Sequence, residues 1–164
     1  EKLSITDQLT QLYNRLKLES VFADEIHRAS RYSEPFSVIM LDIDHFKSVN
    51  DTFGHEVGDK TLIDIAKILK QNSRTTDIVG RWGGEEFIVI LPHTNLKSAL
   101  EHANLLRVKI EAHQFEVIEK ATSSFGVSCY VDSDSAKSIL KRADDALYDA
   151  KNSGRNRVSV REGN

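Results

Sequence analysis

The stretch Arg81-Trp82-Gly83-Gly84-Glu85-Glu86-Phe87-Ile88-Val89-Ile90-Leu91 decides how the rest of the chain is read. Phe87 to Leu91 is an unbroken apolar run, which predicts a buried strand. Asp77 to Trp82 predicts the strand beside it. Gly83-Gly84 suits a two-residue hairpin turn between them, because glycine adopts positive φ without a Cβ penalty. The hairpin tip then carries Glu85 and Glu86 next to bare backbone. Two like charges about 4 Å apart repel by roughly 4 kcal/mol at an effective dielectric of about 20. A bound cation gives such a tip a reason to exist.

Upstream of the hairpin, Ser4 to Arg15 carries turn and capping residues around Leu9 and Leu12, with Asp7 or Thr10 placed to cap a short helical turn. Leu18, Phe22, Ile26 and Ala29 predict a helix from about Leu16 to Tyr32, stopped by Ser33-Glu34-Pro35. Phe36 to Leu41 predicts a buried strand that runs into Asp42-Ile43-Asp44. His45 to Asp51 follows, then a polar loop with Gly54 and Gly58. Leu62, Ile65, Ala66 and Leu69 predict a helix over 59–71. Downstream, Leu96, Ala99, Ala103, Leu106 and Ile110 predict another helix. Phe115 to Ile118 and Thr122 to Val131 alternate as strands do. Ile139, Ala143, Leu147 and Ala150 share one face of a last helix, with Gly154 past its end, and Arg157 to Val160 predicts a short final strand.

Helices mixed with strands around one hairpin indicate an α/β (α+β) sandwich on a mixed sheet. A ferredoxin-like βαββαβ core with added elements fits the order best. The chain's 164 residues suit one domain, 1–164, without repeats or linkers; a domain of this size buries roughly 70% of its unfolded surface. A net charge of −3 predicts no broad nucleic-acid surface, so phosphate binding must be local. A single cysteine, Cys129, rules out an internal disulfide and fits a reducing cytoplasm. No apolar run approaches the about 18 residues a membrane span needs, so no membrane contact is expected of this domain. The opening at Glu1, already close to a motif, leads to the expectation of a C-terminal catalytic part of a longer protein.

In a βαββαβ core the first strand lies beside the hairpin, so Asp42 can face Glu85. Two carboxylates and a backbone carbonyl are enough for Mg²⁺, which keeps few protein ligands and takes phosphate oxygens for the rest. Read alone, Asp42 and Asp44 serve equally as strand-end caps, and Glu85 and Glu86 as solvated turn charges. Gly54 to Thr61 imitates a phosphate loop, but its glycine spacing is one short and Asp59 separates Gly58 from Lys60. The six histidines show no zinc-like spacing.

Gly83-Gly84-Glu85-Glu86-Phe87 resembles the signature of GGDEF domains, the diguanylate cyclases. Asp42-Ile43-Asp44-His45-Phe46-Lys47 with Asn50-Asp51 and Phe53-Gly54-His55 resembles their second block. Gly58-Asp59, the segment Asp7 to Arg15, and Asp144 to Asn156 complete a similarity that covers the chain from about Leu3 to Val160. The resemblance implies a palm core related to nucleotidyl cyclases, with a mainly antiparallel central sheet flanked by helices. It implies condensation of two GTP into cyclic di-GMP with release of two pyrophosphates, with Mg²⁺ (or Mn²⁺) as cofactor, and a homodimer for catalysis. Asp42, Glu85 and the carbonyl of Ile43 correspond to the metal ligands. Glu85, and more weakly Glu86, corresponds to the group that deprotonates the ribose 3′-hydroxyl, and Lys47 to the cation opposite the triphosphate. Phe46, Lys47, Gly84, Lys151 and Arg155 correspond to phosphate contacts. Lys151 and Arg155 read equally as a basic helix end.

Asn50 and Asp59 correspond to guanine readers, with His55 shaping their loop. An ionised Asp only accepts hydrogen bonds, and guanine offers N1–H and N2–H₂. Taken alone, Asp59 is a plausible helix N-cap. Arg74-x-x-Asp77 resembles the family's inhibitory site for its product, although a charged helix end has the same pattern. Gln11 departs from the family, which has glycine there. The rival to the enzyme is a catalytically weak module that senses cyclic di-GMP or GTP.

Overall fold

The computed structural model describes residues 4–163; Leu3, where the resemblance begins, lies outside them. The chain runs α1 (Arg15–Tyr32), β1 (Phe36–Ile43), α2 (Phe46–Phe53), α3 (His55–Gln71), β2 (Ile78–Gly83), β3 (Glu86–Pro92), α4 (Leu96–Ala112), β4 (Ser123–Cys129), α5 (Ala136–Asn152) and β5 (Val158–Val160). The five strands form one sheet in the order β2-β3-β1-β4-β5. All neighbours are antiparallel except β4 and β5. From β1 to β4 this is the expected βαββαβ order, to which α1 and the α5–β5 unit are added.

β1 is buried along its whole length, which is why its sequence reads as a continuous apolar run. Its two faces serve different layers. Ile39, Leu41 and Ile43 pack with Ile65 and Leu69 of α3 and with Ala103 and Leu106 of α4. Val38 and Met40 pack with Phe22 of α1 and Leu147 of α5. Each such side chain contributes about 1.5–3 kcal/mol by leaving water. α5 lies so close to β4 that a Cβ on Gly126 would fall 2.1 Å from the Ala143 carbonyl oxygen. The starts of α1, α4 and α5 are fixed by side chains: Asn14 caps Lys17 N–H at 3.1 Å, Asn95 caps Ser98 N–H at 2.9 Å, and Ser135 forms a capping box with Ser138.

Four expectations are corrected. The polar loop expected after Asp51, with Gly54 and Gly58, is instead the end of α2, a break at Gly54 and the start of α3 at His55, so Asp59 lies inside a helix and is not its N-cap. The hairpin turn is Gly84-Glu85: Gly83 pairs with Glu86, which opens β3, and the register shifts between Arg81 and Gly83. Gly84 alone takes the positive φ, +50°. Phe115 to Ile118 is not a strand; Phe115 makes only an isolated bridge to Glu119. Among the described residues no helix is long and apolar enough to cross a membrane.

Candidate active site

The apolar rows on the α1/α5 side of the sheet each end in an acid. Val38 and Met40 are continued by Asp42, and Ile90 and Ile88 by Glu86. Asp42 and Glu86 are register partners, with Ser124 on the other side of Asp42. Glu85 is one residue away in the turn. Asp42 is 4% exposed, while Glu85 and Glu86 are half-buried.

Burial pushes all three carboxyls above their usual range, and the Asp42 charge pushes Glu85 and Glu86 further. Glu86 also feels Asp144 of α5. Against this, the Lys151 ammonium lies on the Asp42 carboxylate and pulls it down, with a smaller pull from Arg155. The acids therefore share one end of the sheet and feel one another's charge. Among the described residues, no three His, Cys, Asp or Glu side chains are close enough to hold a metal together. The donors on offer, carboxylates and the Ile43 carbonyl, are hard oxygens of the kind Mg²⁺ or Mn²⁺ takes with substrate phosphates completing the shell.

Asp44 does structural work. It accepts the Thr122 hydroxyl at 2.7 Å, the Ser124 hydroxyl at 2.7 Å and the Asn156 N–H at 3.0 Å. It thereby pins the end of β1 to the start of β4 and to the loop after α5. That loop carries Arg155, which itself has a positive φ of 61°. Asp44 thus serves as the strand-end cap its position suggests, with partners 78, 80 and 112 residues away that no local pattern marks.

α2 begins directly after this acid. His45 stands at its N-cap in the left-handed region, φ 59°, and makes no side-chain cap bond. The first N–H groups at Phe46 and Lys47 are thus left without a side-chain cap, a usable anion cradle. Phe46 is buried under the sheet. Lys47 is 89% exposed and pairs with Asp51 at 2.8 Å, so the structure does not bring it to the acids.

The seam between α2 and α3 brings Asn50 against the first turns of α3. Among the described residues its buried Oδ1 has no hydrogen-bond partner. It lies on the backbone of Gly58, where a Cβ would come within 1.8 Å of it. Asp59 is the next residue and is exposed, as is His55. An orphaned acceptor beside an exposed carboxylate suits a ligand edge rich in N–H donors.

Arg74 and Asp77 form a strapped turn away from the acids. Asp77 accepts the Arg74 N–H at 2.8 Å and its guanidinium at 2.8 Å, and the same guanidinium donates to Thr94 Oγ1 at 2.7 Å. Arg74 also lines a cleft of about 310 Å³ with Thr94, Ser98, Glu101 and His102. A larger cleft of about 450 Å³ lies between the N-terminal segment and α3, lined by Thr10, Gln11, Lys67 and Lys70, and contains none of the acids. Gln11 has φ 63°, the conformation for which glycine is the easy choice.

A family model, Diguanylate cyclase, GGDEF domain, matches residues 4–157. The response regulator PleD of Caulobacter vibrioides is 42% identical over 163 residues, which cover 96% of this chain and 36% of PleD. The chain therefore spans only about a third of that relative. Among solved structures, the GGDEF domain of DgcB from Caulobacter crescentus in complex with c-di-GMP superposes with a TM-score of 0.93 at 31% identity, covering 98% of this chain and 97% of that one. The active GGEEF domain of a diguanylate cyclase from Vibrio cholerae gives 0.89 at 38% identity, over 94% of this chain and 100% of the other. The chain belongs to the GGDEF family of diguanylate cyclase domains.

Proposed function

We propose that the chain acts as one catalytic domain that condenses two GTP into cyclic di-GMP. In each half-reaction a ribose 3′-oxygen bonds to the α-phosphorus of the other GTP. The α–β phosphoanhydride bond breaks, pyrophosphate leaves, and the 3′-hydroxyl proton passes to Glu85. The observation that carries this reading is the meeting of Asp42, Glu86 and the Glu85 turn at one sheet end, beside Lys151. A carboxyl raised by burial and by a neighbouring acid is a better proton acceptor than an ordinary one.

Asp42, Glu85 and the Ile43 carbonyl would hold a divalent cation, Mg²⁺ or Mn²⁺. When bound, it neutralises phosphate charge and favours the alkoxide. Lys151, released from Asp42, and Arg155 and Lys47 then grip phosphate, with the amides at the start of α2 and at Gly84. Asn50 and Asp59 read guanine, with His55 at their rim. One chain offers one such site, so two copies face each other for catalysis. Product binds at Arg74 and Asp77 and restrains the enzyme, and the reaction takes place in the cytoplasm, where GTP is supplied. The DgcB domain holding c-di-GMP supports the product assignment.

The test is incubation with GTP and Mg²⁺ followed by chromatography of the products. Cyclic di-GMP is expected, with a rate that rises more steeply than linearly with protein concentration. Asp42→Asn and Glu85→Gln should each lower the rate at least about a hundredfold. Absence of product, with retained binding of cyclic di-GMP, would replace the enzyme by the sensor.

A further inference from the structure

The strand leading into the Gly84-Glu85 turn is held from outside the sheet. Tyr13 bridges Gly80 in parallel, and the Arg81 N–H donates to the Tyr13 carbonyl at 2.9 Å. The segment before α1 thus lies along the free edge of β2. This segment and the first residue of α1 together clasp both residues that precede Gly83. The Arg15 guanidinium stacks over the Trp82 ring at 4.1 Å.

Arg81 does something different. Its Nη1 donates to the two carboxylate oxygens of Asp7 at 3.3 and 3.4 Å, and its Nε donates to the Gly84 carbonyl at 2.9 Å. The two side chains are 18% and 22% exposed, better shielded than an ordinary surface pair. Asp7 is itself fixed, accepting the Thr10 N–H at 2.9 Å and the Thr10 hydroxyl at 2.7 Å. Burial raises the Asp7 carboxyl, but Thr10 and Arg81 outweigh it and hold it below its usual range.

An ion pair for stability alone would need only the Asp7 side of this fork. The bond to Gly84 has no such excuse, because that carbonyl sits in an exposed turn where water would satisfy it. The peptide it belongs to joins Gly84 to Glu85. Gly84 is the residue whose backbone is freest to swing, and fixing its carbonyl fixes the plane from which Glu85 departs. We propose that Arg81 is a positioning residue: it holds the Gly84–Glu85 peptide in its catalytic orientation and, through Asp7, makes that orientation depend on the seating of residues 7–13 along β2. Movement of the N-terminal segment then reaches the reacting end of the sheet through one guanidinium. The inference rests on the reading of Glu85 as a catalytic carboxylate.

The experiment compares Arg81→Ala, Arg81→Lys, Asp7→Asn and the Asp7→Asn/Arg81→Ala double variant in the intact protein. It measures steady-state kinetics with GTP and Mg²⁺ and hydrogen–deuterium exchange over 83–86. Arg81→Ala should lower kcat about tenfold or more, with KM for GTP within about threefold of wild type, and should speed exchange in the turn. Arg81→Lys, able to reach one partner only, falls between. Asp7→Asn should cost about threefold, and the double variant should be no worse than Arg81→Ala, because Asp7 acts through Arg81. Multiplying losses in the double variant, or a loss confined to KM with unchanged exchange, would overturn the proposal. If Arg81→Ala does not fold, Arg81→Lys and Asp7→Asn decide it by the same two readouts. Should wild type make no cyclic dinucleotide, the catalytic reading fails by itself, and the exchange data still decide whether Arg81 holds the turn.

Discussion

Replacing Lys151 with methionine takes the ammonium from Asp42 while keeping most of the stem. The Asp42 side chain is 5% exposed and the Lys151 side chain 34%. Removing one partner of a buried pair costs about 3–5 kcal/mol, and the exposure of Lys151 argues for the low end. Proton linkage sets an independent ceiling. The folded variant can always protonate Asp42, so the cost of holding its charge unpaired cannot exceed the free energy of protonating an ordinary carboxylate at the working pH. With a reference pKa of about 3.9 and about 1.4 kcal/mol per unit, that ceiling is ~4 kcal/mol near pH 7 and ~2 kcal/mol near pH 5.5. The expected loss is therefore about 3 kcal/mol at the higher pH and about 2 kcal/mol or less at the lower.

The sign follows from the carboxyl itself. Burial already raises Asp42 against the opposing pull of Lys151, and losing Lys151 raises it further. Between the ordinary carboxylate pKa and this raised one, the folded state binds a proton that the unfolded state does not, so the variant loses stability as pH rises through that window. Urea unfolding at both pH values, with and without excess Mg²⁺, measures it. Mg²⁺ should rescue the variant more than it stabilises wild type, where it must displace Lys151. A loss that is equal at both pH values and blind to Mg²⁺ would show that Lys151 is not the counter-ion of Asp42.

Asp59→Ala should erode the preference for GTP over ATP, a polar readout able to discriminate by about 10⁴; unchanged selectivity in competition assays would remove Asp59 from guanine recognition. Gly58→Ala should push Asn50 off its seat, since the new Cβ would stand 1.8 Å from its Oδ1. KM for GTP should rise about tenfold while the melting temperature moves little, because the displaced group is the flexible end of a side chain; an unaltered KM would contradict it. Arg74→Ala should abolish inhibition by cyclic di-GMP and cost about 1 kcal/mol, since Asp77 keeps the backbone N–H at 2.8 Å. Equal sensitivity of wild type and variant would dismiss this inhibitory site. Gln11→Gly should stabilise by up to about 1 kcal/mol, relief of left-handed strain being offset by the unfolded-state entropy of glycine; a clear destabilisation by calorimetry would mean that the Gln11 side chain, bonded to the Gln8 carbonyl at 2.7 Å, outweighs its backbone.

What sequence could reveal of the fold followed from burial. β1 and β3 are covered on both faces, so composition alone marked them, and α1, α4 and α5 have stripes long enough for the helical period to register. α2 escaped because it has eight residues and buries only Phe46, too little for any periodicity. The start of α3 escaped because His55, Glu56 and Asp59 are exposed and its apolar stripe begins later. The turn was misplaced by one residue because Gly83-Gly84 offers two equivalent glycines, and only the shift between Arg81 and Gly83 spends the first of them inside β2. Phe115 to Ile118 mimicked a strand because Phe115-Glu116-Val117 alternates apolar and polar as a strand does, although Val117 is exposed.

The candidate site was legible where a residue acts through its type and illegible where it acts through a distant partner. Asp42, Glu85 and Glu86 stand out as acids closing apolar runs, whatever lies around them. Lys151 also stands out as basic, but its contact is Asp42, more than a hundred residues earlier, and no local pattern encodes that. The same holds for Asp44 and for Arg81, whose partners come from β4, the loop after α5 and the N-terminal turn. These three residues share one physical role. Each ties an acid-bearing end of the sheet to an element that arrives from elsewhere in the chain, so carboxylates that repel one another are held in place by the rest of the fold. Their replacement should therefore alter the behaviour of the acids without touching them, and this separates a site built by the fold from one merely carried on it.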